Sequence, residues 1–161
     1  MSLPELNGTI PQVGEKAPRF RFVREDRSNA DLASLKGDVV ILLSVPSLDT
    51  GTCATETRTF NKLAMDLGAR ILVASMDLPF AMKRFCVAEG IEHVAMASDF
   101  RFRDMVSNWG VGIAEGPMEG THARAVWVLD REGTIRYHEL VPELGSEPDY
   151  DAALAAAKAL L

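Results

Sequence analysis

The run Val39-Val40-Ile41-Leu42-Leu43 constrains this chain more than any other stretch. Five apolar residues in a row, three of them β-branched and none alternating with polar ones, read as a strand buried inside a sheet. The run leads into Pro46-Ser47-Leu48-Asp49-Thr50-Gly51-Thr52-Cys53 and then into an amphipathic segment. The expected unit is a buried strand, a loop, and a helix whose first turn carries a cysteine. Backbone N–H groups lack partners there and the helix dipole is positive, so a thiol at that point is favoured as its thiolate. Cys86 is the one other cysteine, and the pair turns a reactive thiol into a possible redox cycle.

Further strands are expected at Arg19–Val23, Val39–Val45, Arg70–Met76, His93–Ala97, Ala123–Leu129 and Ile135–Val141. Helices are expected at Cys53–Leu67, Phe80–Ala88, Phe102–Trp109 and Tyr150–Leu160. The first places Phe60, Leu63, Ala64 and Leu67 on one stripe, with Gly68 as its C-cap, and the last does the same with Tyr150, Ala153, Leu154, Ala157 and Leu161. Pro79 suits the first turn of the second helix. Strands that alternate with helices, followed by two strands joined through Asp130-Arg131-Glu132-Gly133, give an α/β sandwich around a mixed sheet. A length of 161 residues suits one domain, 1–161, with no internal repeat or low-complexity linker.

Several function classes are disfavoured. With 47% apolar and 25% charged residues, disorder is not expected. A formal charge of −6 without a dense Lys/Arg cluster argues against a nucleic-acid partner. No apolar run reaches the length of a membrane span, and Met1 to Ile10 lacks the pattern of a signal peptide. Two cysteines in such a chain point to a cytoplasmic protein, where a disulfide is more often catalytic or sensing than structural. His93, His122 and His138 are scattered, and no Cys-x-x-Cys occurs, so no metal site is expected. The acidic residues from Glu143 to Asp151 read as a solvated surface. Phe20, Phe22, Phe60 and Trp127 read as core, Phe80 and Phe85 as core or as a substrate mouth, and Met105 and Trp109 as a partner surface.

The residues around Cys53 each carry an ordinary alternative. Cys53 alone could be an inert buried thiol. Thr50 lies three residues earlier, where its hydroxyl caps the helix or donates to something bound beside the sulfur. Pro46 either ends the strand or forms an apolar wall over the thiol.

Together Pro46, Thr50 and Cys53 match the Pro-x-x-x-Thr-x-x-Cys motif, and the chain resembles the peroxiredoxins, specifically the thiol peroxidase branch of the atypical two-cysteine members. The likeness continues through Ser75-Met76-Asp77-Leu78-Pro79-Phe80 to Arg84-Phe85-Cys86, then Ser98-Asp99-Phe100-Arg101, Trp109-Gly110-Val111, Ala123-Arg124-Ala125-Val126 and Leu140-Val141-Pro142-Glu143 with Glu147-Pro148-Asp149-Tyr150. It covers the chain from about Ile10 to the C-terminus. The β-hairpin that family members carry before Ile10-Pro11-Gln12-Val13-Gly14 is shortened or absent, since nine residues precede it, and Ala54 replaces a frequent acidic residue.

The resemblance implies a thioredoxin-like fold, a central mixed β-sheet flanked by helices. It implies that Cys53 is the peroxidatic cysteine, Cys86 the resolving one, and Arg124 the arginine beside the thiolate. The implied partners are a peroxide substrate, a thioredoxin-type dithiol reductant and a second copy in a homodimer built through the loops around the site, with no cofactor. Arg124 has an alternative as a surface salt bridge at a strand start. Two other readings compete: a disulfide oxidoreductase of the thioredoxin type, which would want Cys-x-x-Cys at the helix start, and a non-enzymatic redox sensor. Bonding of Cys53 to Cys86 is expected to need local unwinding around Thr52–Thr55, around Arg84–Gly90, or in both segments.

Overall fold

Side-chain alternation along the central strands sorts the core into two layers, one on each face of a single sheet. A computed structural model describes residues 2–161. Its strands are β1 (Arg21–Val23), β2 (Asn29–Asp31), β3 (Val40–Ser44), β4 (Arg70–Ser75), β5 (Ala95–Ser98), β6 (Ala125–Leu129) and β7 (Ile135–Leu140). They lie in the order β2-β1-β5-β4-β3-β6-β7. The central β5, β4 and β3 run parallel, and β1, β2, β6 and β7 extend the sheet by antiparallel pairing. The helices are α1 (Gly51–Ala64), α2 (Pro79–Glu89), α3 (Asp104–Ser107) and α4 (Tyr150–Lys158), with a 3-10 turn at Leu32–Leu35.

All five residues of β3 are buried, as the opening run requires. Ile41, Leu43, Ile71, Val73, Val126 and Val128 point to one face, where Phe60 of α1, Met82 and Cys86 of α2, and Ala153 and Ala157 of α4 complete a layer. Val40, Leu42, Leu72, Ala74 and Trp127 point to the other, where they meet Phe20, Phe22, Met105 and Trp109. Arg124 is two residues before Val126, so strand parity aims it at the face that carries Cys53.

The structure corrects several sequence readings. Met105 and Trp109 are fully buried, not a partner surface: the Trp109 ring meets Trp127 edge-on at 5.0 Å. The helix expected over Phe102–Trp109 is the single turn Asp104–Ser107, too short for periodicity to reveal its buried side. The strand β2 was not foreseen, because three polar or small residues, Asn29-Ala30-Asp31, show no apolar pattern and pair only through the backbone with β1. On α1, Leu63 is 36% exposed, and the helix stops at Met65 rather than at Gly68. Leu161 is exposed beyond the end of α4. Ahead of Ile10 the described residues form isolated bridges, Ser2 to Glu143 and Leu6 to Ile113, and no hairpin. Gly110 is obligatory beside this segment: φ is +69°, and a Cβ would lie 2.5 Å from the Thr9 carbonyl carbon.

Candidate active site

Helix α1 starts at the end of β3 by way of a tight polar loop. Thr50 is its N-cap, and the Thr50 hydroxyl accepts a long hydrogen bond of 3.4 Å from the Cys53 N–H while donating to the Ser47 carbonyl at 3.0 Å. Toward any molecule bound beside the sulfur, this hydroxyl is therefore left as an acceptor. Cys53 is in the first turn and fully buried, so only a very small reagent reaches it unless the loop moves. Pro46 is buried at the bend just after β3, where no backbone donor is needed.

Arg124 is 1% exposed, which removes the surface salt-bridge alternative. Its Nη1 donates to Cys53 Sγ at 3.2 Å and to Glu56 Oε1 at 3.2 Å, and its Nη2 donates to the Leu144 carbonyl at 2.7 Å. Its Nε is buried without a hydrogen-bond partner among the described residues, which leaves one donor uncommitted beside the sulfur's own partner group. Burial pushes the Glu56 carboxyl up to about 7, against the pull of Arg124. Near neutral pH this carboxyl therefore exchanges its proton while holding the guanidinium that faces the sulfur. The segment after β7 closes the site from the far side: Thr52 Oγ1 donates to the Gly145 carbonyl at 3.2 Å, next to the Leu144 carbonyl that holds Arg124.

The first half of α1 is a poor helix former. Gly51, Thr52, Thr55 and Thr57 are four of its seven residues, and Thr57 and, just beyond it, Thr59 donate back to the carbonyls of Cys53 and Thr55. Glycine, β-branched residues and such back-bonding all weaken a helix, so opening this end costs little local structure.

Cys86 lies in the same apolar layer as Cys53, near the C-terminal end of α2, and both thiols are free. Its surroundings differ. Burial pushes its thiol up to about 12, and the nearby Glu25 carboxylate adds to the shift by charge and by hydrogen bonding. On the same helix Phe80 is 63% exposed, with the Arg27 guanidinium 5.3 Å from its ring centre, while Phe85 packs half-buried against the core.

The sequence reading thus finds four of its residues, Pro46, Thr50, Cys53 and Arg124, converging at one strand–helix junction, with Cys86 in the neighbouring helix. It missed Glu56, whose place three residues after Cys53 in a polar-looking helix gives no sign of burial. It also missed the Leu144 and Gly145 carbonyls, because backbone acceptors have no sequence signature. A buried pair, His122 Nε2 at 2.8 Å from Asp99 Oδ2, was likewise unforeseen; it ties the entry to β6 to the segment after β5.

Fold and site together define a thioredoxin-like α/β protein built around a buried thiol that faces an arginine. The family model described as Redoxin matches residues 12–154, and the chain belongs to that family. It is similar to a thiol peroxidase of Leptospira interrogans, 48% identical over 160 residues, with 98% of this chain and 94% of that protein covered. A thiol peroxidase of Mycobacterium tuberculosis is 48% identical over 149 residues, covering 92% and 90%. Among solved structures, a peroxiredoxin-like protein from Aquifex aeolicus superposes with a TM-score of 0.94 at 41% identity, covering 99% of this chain and 97% of that one.

Proposed function

We propose that this protein is a thiol-dependent peroxidase that reduces hydrogen peroxide and alkyl hydroperoxides through Cys53. The observation that carries the reading is the Arg124 Nη1–Cys53 Sγ contact of 3.2 Å at a buried helix start. A guanidinium donor there stabilises negative charge on sulfur before attack and on the peroxide oxygens during it. The Cys53 thiolate attacks the terminal peroxide oxygen. The O–O bond breaks, a sulfenic acid forms on Cys53, and the departing oxygen takes a proton to leave as water or an alcohol.

Cys86 then resolves the sulfenic acid: its sulfur bonds to Cys53 and water leaves. The turn around Thr52–Thr55, the segment Arg84–Gly90, or both open for this step, because both thiols are otherwise held in packed helices. A thioredoxin-type dithiol protein reduces the disulfide by exchange and closes the cycle. In this reading the enzyme works in the cytoplasm as a homodimer whose interface is built by the loops around the site.

The test is peroxide consumption by the purified protein with a thioredoxin system. Turnover of many equivalents is the expected result. Consumption of one equivalent would assign a sensor instead, and reduction of protein disulfides without peroxide turnover would assign a disulfide oxidoreductase.

A further inference from the structure

The loop that delivers Cys53 to its place is held by one carboxylate outside the motif. Asp77 lies between the end of β4 and the start of α2. Its Oδ1 accepts from the Ser47 hydroxyl at 2.8 Å, and its Oδ2 accepts from the Leu48 N–H and the Ser75 hydroxyl, both at 2.8 Å. Asp77 is itself fixed to the sheet: its N–H donates to Ser75 Oγ at 3.2 Å, and its carbonyl accepts from the Ser98 hydroxyl of β5.

From Ser47 the bonds continue toward the thiol. The Ser47 hydroxyl accepts the Asp49 N–H at 3.2 Å, and the Ser47 carbonyl accepts both the N–H and the hydroxyl of Thr50, at 3.2 and 3.0 Å. Thr50 Oγ1 then takes the Cys53 N–H. Every backbone N–H from Leu48 to Thr50 is thus bonded within a ladder that starts on Asp77, while Leu48 supplies the loop's buried apolar contact. A charged acceptor with three short donors is a stronger anchor than the neutral bonds it supports.

We infer that Asp77 is a positioning residue for peroxide attack: its carboxylate sets the Ser47–Thr50 loop and, through it, the first turn that aims Cys53. This rests on Cys53 being the peroxidatic nucleophile. Asp77 also lies two residues ahead of Pro79, the start of the helix that carries Cys86, so it joins the approach segments of both cysteine-bearing helices. The ladder ends on the Cys53 N–H, in the very turn that resolution would open, so Asp77 supports the first chemical step and its loss does not hold back the second.

Single-turnover kinetics separates those steps. The wild-type protein is tested first; failure to react with peroxide at Cys53 overturns the proposed function itself. With an active wild type, Asp77→Ala is expected to slow sulfenic acid formation about tenfold or more, the value of a hydrogen bond to a charged group. Conversion of that sulfenic acid to the disulfide should be no slower than in the wild type, so that only attack is slowed. If the alanine variant does not fold, Asp77→Asn and Ser47→Ala carry the test: each should slow attack, and the double variant should be no slower than the slower single one. Folded Asp77 variants that attack at the wild-type rate, equal slowing of both steps, or strictly additive effects of the pair would overturn the inference.

Discussion

Cys53 and Cys86 share a buried layer on one face of the sheet, yet they face opposite charges. Cys53 is at the start of a helix with a guanidinium 3.2 Å from its sulfur. Cys86 is near the end of a helix beside the Glu25 carboxylate, and burial together with that carboxylate pushes its thiol up to about 12. Exposure alone would rank them the other way, since Cys86 is the more accessible, at 8% against 0%. In the proposed mechanism charge rather than access selects Cys53 as the nucleophile, and Cys86 serves a later step that follows a change of shape.

The largest effects come from removing either sulfur. Cys53→Ser should abolish peroxide turnover, because a serine hydroxyl does not ionise at neutral pH. Cys86→Ser should still react once and leave a sulfenic acid that a trapping nucleophile captures on Cys53. A burst in Cys53→Ser with none in Cys86→Ser would exchange the two roles.

Next in size is the charge that separates the two sites. Arg124→Gln removes it from Cys53 and leaves Glu56 buried without its cation. Loss of a charged hydrogen bond, about 1.5–3 kcal/mol, should slow peroxide attack about ten- to hundredfold. Stopped-flow rates with excess peroxide give the value. Thr50→Val should slow the same step less. Wild-type rates in a folded Arg124 variant would remove charge as the basis of the comparison.

Glu56 sharpens the contrast through pH. Folding raises its carboxyl from the ordinary 4.5 to about 7, chiefly through burial. The native state then holds the proton more tightly than the unfolded chain, so this group's contribution to stability is full below about pH 4.5 and is lost as pH rises to about 7. Denaturant midpoints measured across that window should fall for the wild-type protein, and Glu56→Gln should remove that part of the slope. The same substitution should erase an inflection near pH 7 in the rate of peroxide attack, since ionised Glu56 competes with the sulfur for Arg124.

The smallest effect is expected at Glu25. Burial is the larger cause of the raised Cys86 pKa, so Glu25→Gln should lower it only in part. Titration of the thiolate absorbance in the Cys53→Ser background reads this directly; an unchanged midpoint would make burial the whole cause.

What could be read from the sequence follows from how local each signal is. The strand β3, the capped helix start and Cys53 in its first turn rest on neighbours within ten residues, and all three are where the apolar run and the Thr50 cap place them. Arg124 became meaningful only through the motif match, since strand parity and the β3–β6 pairing bring it to Cys53 across 71 positions. Glu56 and Asp77 look like ordinary polar residues of a helix and a strand end, because burial and bond partners belong to the tertiary structure. Trp109 and Met105 were misplaced for the opposite reason: α3 is one turn long, so no period was available to show which side is buried.

The division of labour between the two thiols is tested most directly by mixing fully reduced protein with less than one equivalent of hydrogen peroxide, quenching within the first turnover, and mapping the oxidised sulfur. The expected first product is a sulfenic acid on Cys53 with Cys86 still a thiol, followed by loss of water to a Cys53–Cys86 disulfide. A first oxidation on Cys86, or equal oxidation of both sulfurs, would contradict the assignment of Cys53 as the nucleophile.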